Sequence, residues 1–175
     1  VDSCARHQMF NDVALNNTGS LYVTEMYNGK MPFDDLIAIG TAGNGPGWGF
    51  TELKDTGLVW VWSADAGFRP VIGTEGSFPN GIAFNQDGNT LFVNYWFSGK
   101  TIKFDIASRT IQASHYGGRA DNLTLSHGSI WTAKHDMTVT EYLEGCPADA
   151  VNCFLPFSVY ELDLEDLSET NAWNF

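Results

Sequence analysis

The sequence has 175 residues, 43% of them hydrophobic and 14% aromatic, which is enough for one folded domain with a core. Its 21 acidic and 9 basic residues leave a formal net charge of −12, which opposes binding to nucleic acid or an anionic membrane and favours cations as charged partners. The longest unbroken apolar stretch, Leu58 to Trp62, is far shorter than the roughly 20 residues of a membrane-spanning helix.

Three segments share one pattern: a polar residue, a short apolar strand, a glycine-containing turn and a second apolar strand. They begin at Asn11, Asn80 and Asp121. Their turns contain, in chain order, Thr18-Gly19, Asp87-Gly88 and His127-Gly128. Pairs of this kind between β-branched and aromatic runs are typical of β-hairpins, so the sequence predicts at least three of them.

The stretches between and after the hairpins also favour strands. They are Leu36 to Ile39, Leu58 to Ser63, Thr101 to Asp105, Thr110 to Ala113 and Ser158 to Asp163. No window has the apolar stripe of an amphipathic helix, although Asp163 to Glu169 fits a turn. The chain is therefore predicted to be nearly all β.

Repeats of roughly 40 to 50 residues, each a hairpin with outer strands, are typical of β-propeller blades. The step from Asn80 to Asp121 fits one blade. The longer step from Asn11 contains the glycine-rich loop Gly40 to Gly49 and indicates either an elaborated blade or a long connection. At about 45 residues per blade the length predicts three to four blades. We therefore expect a single partial propeller over residues 1–175, an incomplete chain that self-associates through exposed blade edges.

The innermost strand of each blade begins at the central channel, so equivalent residues there converge on the axis. Here they are Asn11, Asn80 and Asp121, the last followed by Asn122. Amide and carboxylate oxygens suit a hard cation such as Ca²⁺, whereas zinc prefers histidine or cysteine. The alternative, that these are ordinary turn and strand-start residues, stays open.

Three segments resemble the calcium-binding blades of the gluconolactonase, senescence-marker-protein and paraoxonase superfamily. They are Phe10 to Ala14, Pro79 to Ala83 with Asp87 to Val93, and Ala120 to Leu123. The similarity extends from about Phe10 to His135 and continues more weakly to Asp163. It implies a six-bladed propeller, a divalent cation in the channel, and a small lactone or related ester as the substrate that is hydrolysed.

The resemblance also implies roles for individual residues. Asn80 and Asp121 match metal ligands, Asn11 matches a metal- or substrate-contacting amide, and Asn122 matches a further ligand of the paraoxonase branch. Asp121 is in addition the candidate general base. His135, at the end of a predicted strand near the channel, is the second catalytic candidate; the alternative is a polar residue of the rim.

One ligand of the family is missing. The family also supplies a glutamate from its first blade, and no glutamate lies upstream of Phe10 in this sequence. With one carboxylate among four candidate ligands, we expect modest affinity for the ion, because the number of charged ligands tunes affinity.

Two other functions remain open. A strictosidine-synthase-like propeller has the same architecture and uses no metal; Glu141, Glu144 and Glu161 are the candidates for its late catalytic glutamate. A non-catalytic propeller that binds protein or ligand is the other alternative.

Cys146 and Cys153 flank a short loop that contains Pro147. They form either a small disulfide or two ordinary thiols, and the bridge requires an oxidising compartment. We expect a periplasmic or secreted location in preference to a cytoplasmic one.

Overall fold

The computed structural model describes residues 8–30, 56–138, 141, 145 and 155–175. Within these ranges the chain forms three antiparallel sheets of four strands, which we call blades I, II and III. Blade I contains β1 (Met9–Leu15), β2 (Leu21–Tyr27), β3 (Leu58–Ser63) and β4 (Gly67–Pro70). Blade II contains β5 (Pro79–Phe84), β6 (Thr90–Tyr95), β7 (Lys100–Asp105) and β8 (Thr110–Tyr116). Blade III contains β9 (Arg119–Ser126), β10 (Ser129–His135), β11 (Phe157–Asp163) and β12 (Glu169–Asn174).

Each blade is a meander in which consecutive strands pair, so the prediction of an all-β partial propeller is confirmed. The three predicted hairpins are the first two strands of the three blades. The sequence analysis did not predict β4 and β12, because one has only four residues and the other is exposed along its whole length. The predicted strand Leu36 to Ile39, the loop Gly40 to Gly49 and the pair Cys146 and Cys153 lie outside the described residues.

The blades pack face to face through two apolar clusters. The first lies between blades I and II and includes Tyr22, Val59, Leu91, Val93 and Phe104. The second lies between blades II and III and includes Phe92, Leu123, Ile130, Tyr160 and Leu162. Blade II is therefore covered on both faces, whereas blades I and III are each covered on one. Among the described residues, no helix is long and apolar enough to cross a membrane.

The long step of the sequence falls inside blade I, between β2 and β3. This finding favours an elaborated blade over a long connection between blades. The other long connection, between β10 and β11, also lies within a blade. Both connections begin at the end of a blade's second strand, Tyr27 in blade I and His135 in blade III. Each of these residues pairs with the first residue of the innermost strand, Met9 and Arg119 respectively.

The innermost strands β1, β5 and β9 share a register shift near their start. In blade I, two residues, Asn11 and Asp12, lie opposite Thr24. In blade II, Asn80 and Gly81 lie opposite Asn94. In blade III, Asp121 and Asn122 lie opposite Ala133. Two residues opposite one is the definition of a β-bulge, so the three positions that the sequence aligned are equivalent in the structure.

Gly81 sets how closely blades II and III approach. A Cβ at this residue would lie 2.6 Å from the carbonyl oxygen of Asp121 and 2.7 Å from Cα of Asn122. We predict that Gly81→Ala lowers the free energy of unfolding by about 1–3 kcal/mol, because two backbones must move apart. Urea denaturation measures this loss.

The control is Gly19→Ala. Gly19 has a φ of +79° and nothing within 4 Å of the added methyl group, so this variant reports backbone strain alone, about 1 kcal/mol. A loss for Gly81→Ala no larger than that of Gly19→Ala would contradict the role of the close approach.

His115 on β8 makes the contact between blades II and III sensitive to pH. Burial, and to a smaller extent Lys134, lower the pKa of His115, while Glu169, whose Oε2 lies 3.9 Å from Nε2, opposes the shift. The unfolded chain therefore binds the proton first as pH falls, and stability decreases below about pH 6.5.

We predict that His115→Gln reduces this loss of stability between pH 7.5 and pH 5.5, as measured by urea denaturation at each pH. The matched control is His127→Gln, since His127 is exposed in the turn between β9 and β10. An unchanged pH dependence in His115→Gln would show that other groups cause it.

Candidate functional site

The three bulges lie side by side because hydrogen bonds join each one to the neighbouring blade. Thr24 Oγ1 donates to the backbone carbonyl of Asn80 at 2.7 Å. Asn94 Nδ2 donates to the backbone carbonyl of Asp121, also at 2.7 Å. Thr24 and Asn94 occupy the same register position in β2 and β6, so blades I and II use one device to hold the bulge of the next blade.

Asn80, in the middle bulge, is the most enclosed of the candidate residues. It is 3% exposed, and its Oδ1 has no hydrogen-bond partner among the described residues. Its backbone carbonyl is already used by Thr24. A buried polar atom without a partner costs free energy, which is a reason to look for a ligand at that atom.

Asp121 and His135 lie together beside this bulge. His135 Nε2 is 4.0 Å from Asp121 Oδ2. On its other side the ring accepts a 2.9 Å hydrogen bond from Trp96 Nε1 to Nδ1. Because Nδ1 is an acceptor, the proton of the neutral ring is on Nε2 and faces the Asp121 carboxylate.

The other two candidates are placed differently. Asn11 is exposed, and its Nδ2 donates to Met26 Sδ at 3.2 Å. Asn122 is exposed as well, and its backbone carbonyl accepts from Thr132 Oγ1 at 2.9 Å. The structure thus places the side chains of Asp121 and His135 close together and the bulge of Asn80 next to that of Asp121, and it leaves the side chains of Asn11 and Asn122 at the surface.

Sequence reasoning overlooked Asp12, the second residue of the first bulge. Its Oδ2 accepts a 3.1 Å hydrogen bond from the backbone nitrogen of Ile82, and its Oδ1 accepts from its neighbour Val13 at 2.8 Å. Its carboxylate is therefore a structural link between blades I and II. The available signal was the pair of polar or glycine residues at the start of each repeat, Asn11-Asp12, Asn80-Gly81 and Asp121-Asn122. Such pairs occur in bulges as well as in turns.

Sequence reasoning also missed the role of Trp96. Trp96 packs with Phe78 and Phe97. In addition its indole nitrogen fixes the tautomer of His135. Trp96 and His135 are 39 residues apart in the sequence, so no local sequence pattern indicates that they form a hydrogen bond.

In the part of the chain that the structure describes, no three His, Cys, Asp or Glu side chains are close enough to hold a metal ion. Both carboxylate oxygens of Asp12 already accept backbone hydrogen bonds, so a cation site at the bulges would depend on amide oxygens together with the carboxylate of Asp121. This composition suits a hard cation that accepts neutral oxygen ligands.

Two of the three glutamates considered for a metal-free synthase lie within the described residues. Glu161 is on β11 and accepts a 2.7 Å hydrogen bond from Asn171 on β12. Glu141 accepts from the backbone nitrogen of Thr138 at 2.7 Å. Glu144 lies outside the described residues.

Comparison with known proteins identifies the fold. No protein-family model matches the sequence, and no curated protein matches it. Among solved structures, the whole chain superposes on a luciferin-regenerating enzyme with a TM-score of 0.57 and 13% identity, and it covers 49% of that chain.

Two further structures match over nearly the whole chain. A chain of the mitotic checkpoint complex gives a TM-score of 0.54 and 14% identity over 93% of this chain and 37% of its own. Hydrazine synthase of Kuenenia stuttgartiensis gives 0.56 and 12% over 98% of this chain and 37% of its own. At these identities the likeness shows a β-propeller fold and no function. The chain spans less than half the length of each of the three.

We predict that Trp96→Phe releases the tautomer of His135. Without the indole donor the ring samples both neutral forms, and its Nε2 proton no longer faces Asp121 in every molecule. Nitrogen-15 chemical shifts of the imidazole measure the two tautomers directly. Trp131→Phe, in blade III away from His135, is the control and leaves the shifts unchanged; shifts that also stay unchanged in Trp96→Phe would refute the role of Trp96.

Proposed function

We propose that the bulges of blades II and III form this chain's share of a divalent-cation site in a hydrolase of small lactones or related esters. The main supporting observation is the buried Oδ1 of Asn80, which has no partner among the described residues and lies in the bulge next to that of Asp121. The cation is expected to be Ca²⁺.

The donor set fits such an ion. Ca²⁺ takes six to eight oxygen ligands in flexible geometry and accepts amide carbonyls as readily as carboxylates. Asn80 Oδ1 and the carboxylate of Asp121 are the donors in neighbouring bulges, and the exposed amides of Asn11 and Asn122 flank them on β1 and β9. The formal net charge of −12 attracts cations to the protein at long range.

A divalent cation bound here supplies Lewis-acid polarisation of the substrate carbonyl. Asp121 would take a proton from the water that attacks the acyl carbon and return it to the ring oxygen, which leaves as the alcohol when the acyl C–O bond breaks. His135 holds a proton on Nε2 toward Asp121 and thereby orients the carboxylate. The Asn11 amide binds the substrate and donates to the developing oxyanion.

The pair Asp121 and His135 favours a hydrolase over a binding propeller. A histidine whose tautomer is fixed by a buried indole and whose other nitrogen faces a carboxylate is an arrangement suited to proton transfer. Glu161 is hydrogen-bonded to Asn171, and Glu141 bonds to Thr138 and interacts with the Arg119 guanidinium. The geometry therefore gives no support to a synthase that relies on either of them.

We predict that Asp121→Asn weakens Ca²⁺ binding at least about tenfold, because it removes the only carboxylate among the proposed ligands. Isothermal titration calorimetry with CaCl₂ measures the change. Asp87→Asn is the matched control, since Asp87 is exposed in the turn between β5 and β6 at the opposite end of the strands; its affinity stays that of the unmodified chain.

Hydrolysis of a panel of small lactones, with and without Ca²⁺, tests the reaction itself. Calcium-dependent hydrolysis that survives Asp121→Asn would refute the role of Asp121. Absence of heat on titration with CaCl₂ would refute the cation site.

A further inference from the structure

The face of blade I that points away from blade II is apolar, and no other described strand covers it; we call it face I. Its large exposed side chains include Leu15, which is 66% exposed, and Phe68, which is 60% exposed. The others are Phe10, Val13 and Trp62. A cavity of about 340 Å³ opens on this face between Phe10, Leu21, Val23, Trp60, Phe68 and Gln8. Exposed apolar patches of this kind mark sites of association.

Face I carries no unpaired charge at its centre. Glu25, on β2, is 2% exposed. Its Oε1 accepts from Gln8 Nε2 at 2.8 Å, and its Oε2 accepts from Trp60 Nε1 at 3.0 Å. Both carboxylate oxygens are thus satisfied within blade I, and the surface offered to a partner remains apolar.

The register shows what kind of partner fits face I. In blade II, the residues at the same register positions face blade I and lie in the cluster between the two blades. Val13, Leu15, Leu21, Val23, Trp60 and Trp62 correspond to Ile82, Phe84, Leu91, Val93, Ile102 and Phe104. Face I is therefore built as one half of a blade-to-blade contact whose other half is absent from the chain's described residues.

Blade III offers the other half on its uncovered face, which we call face III. Trp131 lies at the register position of Phe92, which is buried between blades II and III. Trp131 stacks on Trp173 with ring centres 5.3 Å apart, and the exposed Phe157 stacks on Phe175 at 5.1 Å. Face III thus has an aromatic residue where blade II has Phe92, and face I has apolar residues where blade II packs on blade I.

We propose that the occupant of face I is face III of a second copy of this chain, and that two copies close head to tail into one ring of blades. A two-fold axis makes both contacts identical, so a dimer uses both faces of each chain and leaves neither exposed. Three blades from each copy give a closed ring within the usual range of four to eight blades.

The first test is the mass of the 175-residue chain in solution by size-exclusion chromatography with light scattering. The proposal predicts twice the 19.3 kDa of one chain, and a stronger dimer as salt screens the like charge of the two copies. A single-chain mass at 100 µM would overturn the proposal, and the two faces would then pack against blades that these 175 residues do not contain. A mass that grows steadily with concentration would also overturn it, because it shows open chains.

The second test separates head-to-tail pairing from pairing of like faces. The double variant Val13→Asp and Leu15→Asp places two carboxylates on face I, and Trp173→Asp places one on face III. Each variant alone is expected to be monomeric. Mixed in equal amounts they have one intact face each, so the proposal predicts a heterodimer. A variant that still forms homodimers while one face is spoiled would refute the head-to-tail contact.

Ile111→Asp is the matched control, since Ile111 on β8 is an exposed apolar residue of blade II, outside both faces; it remains dimeric. Circular dichroism checks that every variant keeps its β structure. The experiment contains no calcium and no substrate, so its outcome is independent of the proposed hydrolase.

Discussion

The repeated β-bulge at the start of each innermost strand is the constraint on which the arrangement depends. An extra residue in a strand breaks the pairing locally and frees a backbone carbonyl. Thr24 and Asn94 use that carbonyl to join one blade to the next. The same bulge therefore positions the blades relative to each other and the polar side chains at the channel end of the strands.

Because the bulge both joins the blades and positions polar side chains, it also explains why Asn80 is enclosed. Its backbone carbonyl is committed to blade I, and the absence of a Cβ on Gly81 lets β9 approach closely on the other side. The amide between them is enclosed, and its oxygen has no partner in the described part of the chain. The enclosure of the Asn80 amide thus follows from the way in which the strands are joined.

The repeat was visible in the sequence because hairpins have local signals: an X-Gly turn between two apolar runs. The alignment of Asn11, Asn80 and Asp121 followed from it, and the register agrees. What local patterns do not contain is the direction of a side chain in a bulge and contacts between distant residues. Asn11 reaches Met26, Asp12 links two blades, and Trp96 bonds His135, and none of these follows from spacing.

The third repeat departs from the other two at one residue. Ala133 stands where Thr24 and Asn94 have side chains that donate a hydrogen bond across the gap to the next blade. A sheet that packs against this side of blade III therefore finds no donor at Ala133, so that contact lacks the hydrogen bond that joins blade I to blade II and blade II to blade III.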